Sequence, residues 1–179
     1  MKTKTLGTVQ KALKVFRIIA KIASIFCIVG AALFGVGALC AVAQYNGGHV
    51  FGLWGEPLNL FPDGTDLLKE YVYLLSITFM LIAQAILLGL THSYLKSELK
   101  DGTPFTENGA DCLKKLGIRF IYIPIIAITV SEVAAAWQGV KITDTIGNFG
   151  SVLTGIVLIL VSVIFRYGAE LEQKSNEQK

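Results

Sequence analysis

The sequence predicts an all-α integral membrane protein: four transmembrane helices, with one amphipathic cytoplasmic helix at the N-terminus and another in the middle of the chain. Three observations carry that reading. Hydrophobic residues make up 53% of the 179 and charged residues only 16%, against about 45–50% and about 25% in soluble domains, and mean hydropathy is +0.60. Four apolar runs each approach the roughly 20 residues that cross a hydrocarbon core of about 30 Å. Lys and Arg crowd into alternate connections between those runs.

The N-terminal segment comes first. At about 100° per residue, Leu6, Val9, Leu13, Phe16 and Ala20 share one helical face, and Lys4, Lys11, Lys14, Arg17 and Lys21 share the other. This predicts a basic amphipathic helix lying on the inner leaflet before the chain turns into the membrane. Residues 22–43 form the first span, an uncharged run in which Ser24 is the sole hydroxyl. It exceeds a signal-peptide core of about 7–15 residues, so it is expected to remain uncleaved. Ala31 with Gly35, Gly37 with Ala41, and Ala85 with Gly89 place small residues four apart, the spacing that lets membrane helices approach closely, within the chain or in a homo-oligomer.

The first outer loop, Gln44 to Glu70, mixes Gly and Pro turns with Phe51, Leu53, Trp54, Leu60 and Phe61. Such aromatics favour the membrane interface, and a compact cap against the outer surface is expected. The second span covers residues 71–92, interrupted by Ser76, Thr78 and Gln84; the third covers 118–136 and contains Glu132; the fourth covers 146–166. The second outer loop is short and no internal repeat appears, so residues 1–179 read as one domain.

Orientation follows from the cations. Residues 1–21 carry six Lys or Arg, 96–119 carry five and the tail from Arg166 carries three, leaving Lys69 and Lys141 for the other two loops. Both termini and the central loop are therefore expected in the cytoplasm of a bacterial cell. The net charge of +3 reflects this topology and not direct nucleic-acid binding. Cys27, Cys40 and Cys112 offer no disulfide framework, since the exported loops hold no cysteine.

Little chemistry converges. Glu132 is the one formal charge within a span, a functional candidate by its cost in hydrocarbon, although Trp137 places it near the interface, within reach of Lys141 or Lys69. Gln84 is a candidate helix–helix hydrogen-bonding group. The topology keeps His49, His92, Glu132 and Cys112 apart, and no zinc-protease pattern, phosphate loop or nucleophile elbow occurs. No enzyme, cofactor or metal is expected.

The stretch DGTPFTENGADCLKKLG, residues 101–117, carries the clearest local design. Thr103 before Pro104 suits a helix start, with Thr106 the alternative cap one turn later. Phe105, Gly109, Cys112, Leu113 and Leu116 form an apolar stripe opposite Glu107, Asp111, Lys114 and Lys115, which predicts an amphipathic cytoplasmic helix, bent at Gly117 as it enters the third span. Its stripe must rest on lipid, on the bundle or on another protein.

Gly102-Thr103-Pro104-Phe105-Thr106-Glu107-Asn108, followed by Leu113 and Gly117, and Ile164-Phe165-Arg166-Tyr167-Gly168-Ala169-Glu170-Leu171 resemble the YoaS-like small bacterial membrane proteins, a family of unknown function with four membrane helices. The resemblance implies the same topology and a setting that often includes small Cro-type helix-turn-helix regulators. Members commonly finish on an acidic stretch followed by Thr and an aliphatic residue, whereas this chain ends Ser175-Asn176-Glu177-Gln178-Lys179. The family brings no catalytic residues.

The expected role is interaction: a regulator, sensor or accessory subunit that meets membrane lipids and a soluble cytoplasmic protein. Phe105, Leu113, Leu116, Arg166, Glu170 and Leu171 are the candidate docking residues. The alternative is a transport or export component with Gln84 and Glu132 on a polar path.

Overall fold

No Pro or Gly interrupts the chain between Gly7 and Gly30, and the consequence is one unbroken helix where two were expected. The computed structural model describes residues 2–48, 60–62, 64–101, 106–140 and 149–177. It contains α1 (Lys2–Tyr45), α2 (Leu67–Asp101), α3 (Glu107–Trp137) and α4 (Phe149–Glu177). Each of the four holds a segment long and apolar enough to cross a membrane. The expected spans fall inside them, except that 146–148 lie outside the described residues. The N-terminal basic segment continues straight into the first span. The central amphipathic segment likewise forms the first turns of α3, and Gly117 at its junction with the third span is accommodated within the helix.

The ends of the helices are built locally. Asp66 caps α2, its Oδ1 accepting from the Lys69 N–H at 3.2 Å. Thr106 caps α3, its Oγ1 accepting from the Gly109 N–H at 2.9 Å, so the later of the two candidate caps starts this helix; Thr103 to Phe105 lie outside the described residues. Helices α1 and α3 finish in the same motif. Gly47 and Gly139 adopt φ of 75° and 70°, and Gly48 and Val140 donate back to the carbonyls of Ala43 and Ala135 at 2.8 and 3.0 Å, which satisfies carbonyls the helix itself leaves open. Pro124 sits inside α3, where it removes one backbone bond, to the Phe120 carbonyl.

The chain divides into two compact units. Unit 1 comprises residues 1–25, 84–124 and 148–179, and unit 2 comprises 26–83 and 125–147. In unit 1, α1 and α2 run antiparallel: the Ser24 hydroxyl donates to the Ala85 carbonyl at 3.1 Å, and His92 Nδ1 lies 3.1 Å from the Arg17 carbonyl. In unit 2 the same two helices pack at Gly30 against Leu81, Gly35 against Thr78 and Gly37 against Leu74.

Small residues make these contacts. Among the described residues, ten of the fifteen buried hydrophobic residues are alanine, which fits packing by close backbone approach. Large aliphatic side chains such as Leu33, Leu39, Val157 and Leu160 are exposed instead. Most hydroxyls bond back to their own helix, as Ser76 to the Val72 carbonyl and Ser131 to the Ala127 carbonyl, at 2.8 and 2.9 Å, so these polar groups stay satisfied in apolar surroundings.

One close helix crossing in unit 1 was not anticipated. Gly117, expected as a bend, lies within α3 and faces Gly155 of α4. A Cβ added at Gly117 would lie 2.8 Å from the Gly155 carbonyl oxygen, and one at Gly155 would lie 2.7 Å from the Gly117 carbonyl oxygen. The two backbones touch here because neither residue has a side chain.

Candidate functional site

The polar turn that distinguishes this sequence joins α2 to α3, and its described part is organised around Glu98. This residue sits near the C-terminal end of α2 and is only 3% exposed. A Cβ on Gly109 would overlap its carboxylate, so the acid packs directly on the first turn of α3, next to the capping Thr106. An anion at a helix N-terminus is favoured by the open N–H groups there. The Tyr94 side chain, one turn earlier on α2 and past the apolar run 71–90, hydrogen-bonds to Glu98. Glu98 therefore clamps α2 to the first turn of α3 by its buried packing against Gly109. Beside the clamp, Ser93, Tyr94 and Ser97 of α2 face Cys112, Lys115 and Arg119 of α3 across a groove of about 250 Å³.

The candidate docking residues separate into two groups. Leu113 and Leu116 are each 4% exposed, and with Gly109 and Ala110 they face the interior of unit 1. Leu113 and Leu116 thus rest on the bundle, and Glu107, Asp111, Lys114 and Lys115 are exposed. Arg166, Glu170 and Leu171 are exposed on α4. Arg166 Nε and Glu170 Oε1 are 3.7 Å apart, so Glu170 pairs within its own helix and not with Lys114, Lys115 or Arg119. Phe105 lies outside the described residues.

The intramembrane polar candidates stand in different units. Glu132 is exposed on α3 in unit 2, near Trp137, which is 90% exposed. It makes no ion pair with Lys69, and Lys141 lies outside the described residues. Gln84 is half-buried on α2 in unit 1. Among the described residues no cluster of three His, Cys, Asp or Glu could hold a metal ion. Most of the outer-loop cap, including His49 and Trp54, also falls outside them.

Sequence reading missed two features of unit 1. Glu98 lies among Lys96, Lys100 and Asp101 and reads as one more charge in a solvated stretch; only the fold of α3 over it reveals the burial. The second is a basic groove between α1 and α2, where Arg17 and Lys21 meet His92 and Lys96. Its signal was present as cations spaced four apart on each helix. Set against known proteins, the chain matches no family model, no curated protein and no solved structure.

Proposed function

We propose that this is a multi-pass protein of the bacterial cytoplasmic membrane, with both termini in the cytoplasm, and that it works by holding a soluble partner at the inner face. The membrane reading is supported by the inverted distribution of side chains: only 17–22% of the most apolar window of each helix is buried, and an apolar surface so extensive suits lipid. The orientation is supported by charge. Unit 1 carries 14 of the 16 Lys and Arg residues and 7 of the 13 acids, which leaves unit 2 net negative.

One observation carries the interaction reading. Helix α4 runs 29 residues, longer than the roughly 20 needed for a span, and just past the expected span 146–166 it exposes Tyr167 and Leu171, at 63% and 50%. These two lie one turn apart beside the Arg166–Glu170 pair, forming an apolar patch with a charged rim, the anatomy of a protein contact. With Leu113 and Leu116 buried, docking narrows to this face of α4. The YoaS-like resemblance suggests a helix-turn-helix regulator as the class of partner.

The test is affinity capture from intact membranes with wild type and a Tyr167→Ala, Leu171→Ala variant. Because both side chains are exposed, the variant is expected to insert and melt as wild type does and to lose the co-purifying partner. Unchanged capture by the variant overturns the reading.

A further inference from the structure

Unit 1 contains a second surface with chemistry of its own. Helix α1 presents Arg17 and Lys21 one turn apart, and α2 presents His92 and Lys96 one turn apart, around a groove of about 520 Å³. That volume lies within the range of about 300–1,000 Å³ typical of ligand clefts. No acidic residue lines it, although unit 1 holds seven. The rest of the lining is aliphatic: Ile18, Ile22 and Ile25, about half exposed, follow one face of α1 from the cationic end into the uncharged run. The His92 ring is fixed in place, since the Arg17 carbonyl 3.1 Å away can only accept and Nδ1 must therefore carry the proton.

We propose that this groove binds an anionic phospholipid, its phosphodiester held by Arg17, Lys21 and Lys96 and one acyl chain laid along Ile18, Ile22 and Ile25. Charge complementarity selects the headgroup, and the direct passage from cations to isoleucines selects a lipid over a free anion. A soluble phosphate would use the cations and leave the aliphatic half of the groove idle. Basic pockets between membrane helices on the cytoplasmic side are suited to such headgroups. The inference rests on the membrane reading above but not on the docking face of α4.

The experiment uses the full chain purified in mild detergent, with lipid binding followed by native mass spectrometry. Phosphatidylglycerol is compared with phosphatidylcholine and with inorganic phosphate. Wild type should retain phosphatidylglycerol at least tenfold more tightly than phosphatidylcholine. The Arg17→Gln, Lys21→Gln, Lys96→Gln variant should lose at least tenfold in affinity for phosphatidylglycerol, since each cation is worth about fivefold. These changes spare the His92 contact, which uses the Arg17 backbone, and leave Lys and Arg at eleven against two across the units, so orientation is preserved. A control removes three exposed cations outside the groove: Lys11→Gln, Lys14→Gln, Lys114→Gln. An equal loss in the control would assign the effect to the general field and overturn the site, as would a wild type without preference for the anionic lipid. Displacement of the lipid by equimolar inorganic phosphate overturns the lipid assignment in favour of a free anion. Binding in detergent does not depend on orientation in the cell, so a wrong topology would be detected separately, by labelling.

Discussion

Replacing Gly117 or Gly155 by alanine should unfasten α3 from α4. The added Cβ would stand 2.8 or 2.7 Å from the opposing carbonyl oxygen, whereas carbon–oxygen contacts settle at about 3.3–3.6 Å. The backbones must then separate by roughly 0.5 Å or more, because a main-chain oxygen cannot swing away as a side-chain tip can. Overpacking of this kind costs about 1–3 kcal/mol, and the better helix propensity of alanine returns up to about 1 kcal/mol. A net loss of about 1–2 kcal/mol is expected for each, or roughly 2–8 °C in melting temperature for a chain of this size. The double variant should cost less than the sum, since one separation relieves both clashes. Gly89 and Gly150 provide the controls: nothing lies within 4 Å of a Cβ added at either, so alanine there should be neutral or stabilising. Thermal denaturation in mild detergent, followed by far-UV circular dichroism, measures all five variants. If Gly117→Ala and Gly155→Ala both melt at or above wild type, the close crossing is not where the structure puts it.

Two further outcomes are expected. Gly109→Ala should cost about 1–3 kcal/mol by displacing the buried Glu98 carboxylate, and most of that cost should vanish in a Glu98→Ala background; equal costs in both backgrounds would dissolve the proposed clamp. Single cysteines introduced at Thr5, Phe105 and Ser175 in a cysteine-free chain should be shielded from an impermeant reagent in sealed cells while one at Gly55 reacts, and external labelling at position 105 would reverse the topology.

The four helices were legible in the sequence because two independent quantities agree: the length of each apolar run and the alternation of Lys and Arg between them. The small-residue pairs were legible as a spacing, and Ala31 and Ala41 are indeed buried. The Gly117–Gly155 crossing was not, because Gly117 has no small residue four positions away, Gly155 has only Ser151, and the register of α3 against α4 exists only in three dimensions. The stripe of Leu113 and Leu116 was read correctly as apolar, but a stripe does not say what covers it. For the docking face the informative signal was the reverse: Tyr167 and Leu171 follow the expected span 146–166 directly, flanked by the charged Arg166 and Glu170.

The continuity of α1 alters what its cations can feel. At about 1.5 Å per residue, Lys14 stands roughly 10 Å and Lys11 roughly 15 Å along the axis from Lys21, whereas Arg17 is within about 6 Å of it. Physiological salt screens exposed charges over about 8 Å. On a helix lying flat, every cation would share the same lipid surface; on one that continues its span, Arg17 and Lys21 stay inside the screening distance and Lys11 and Lys14 pass outside it. In the proposed orientation the outer pair becomes a charge that diffusing proteins meet before they reach the bilayer, and its influence on their arrival rate should fade with salt while the inner pair keeps to the proposed headgroup site.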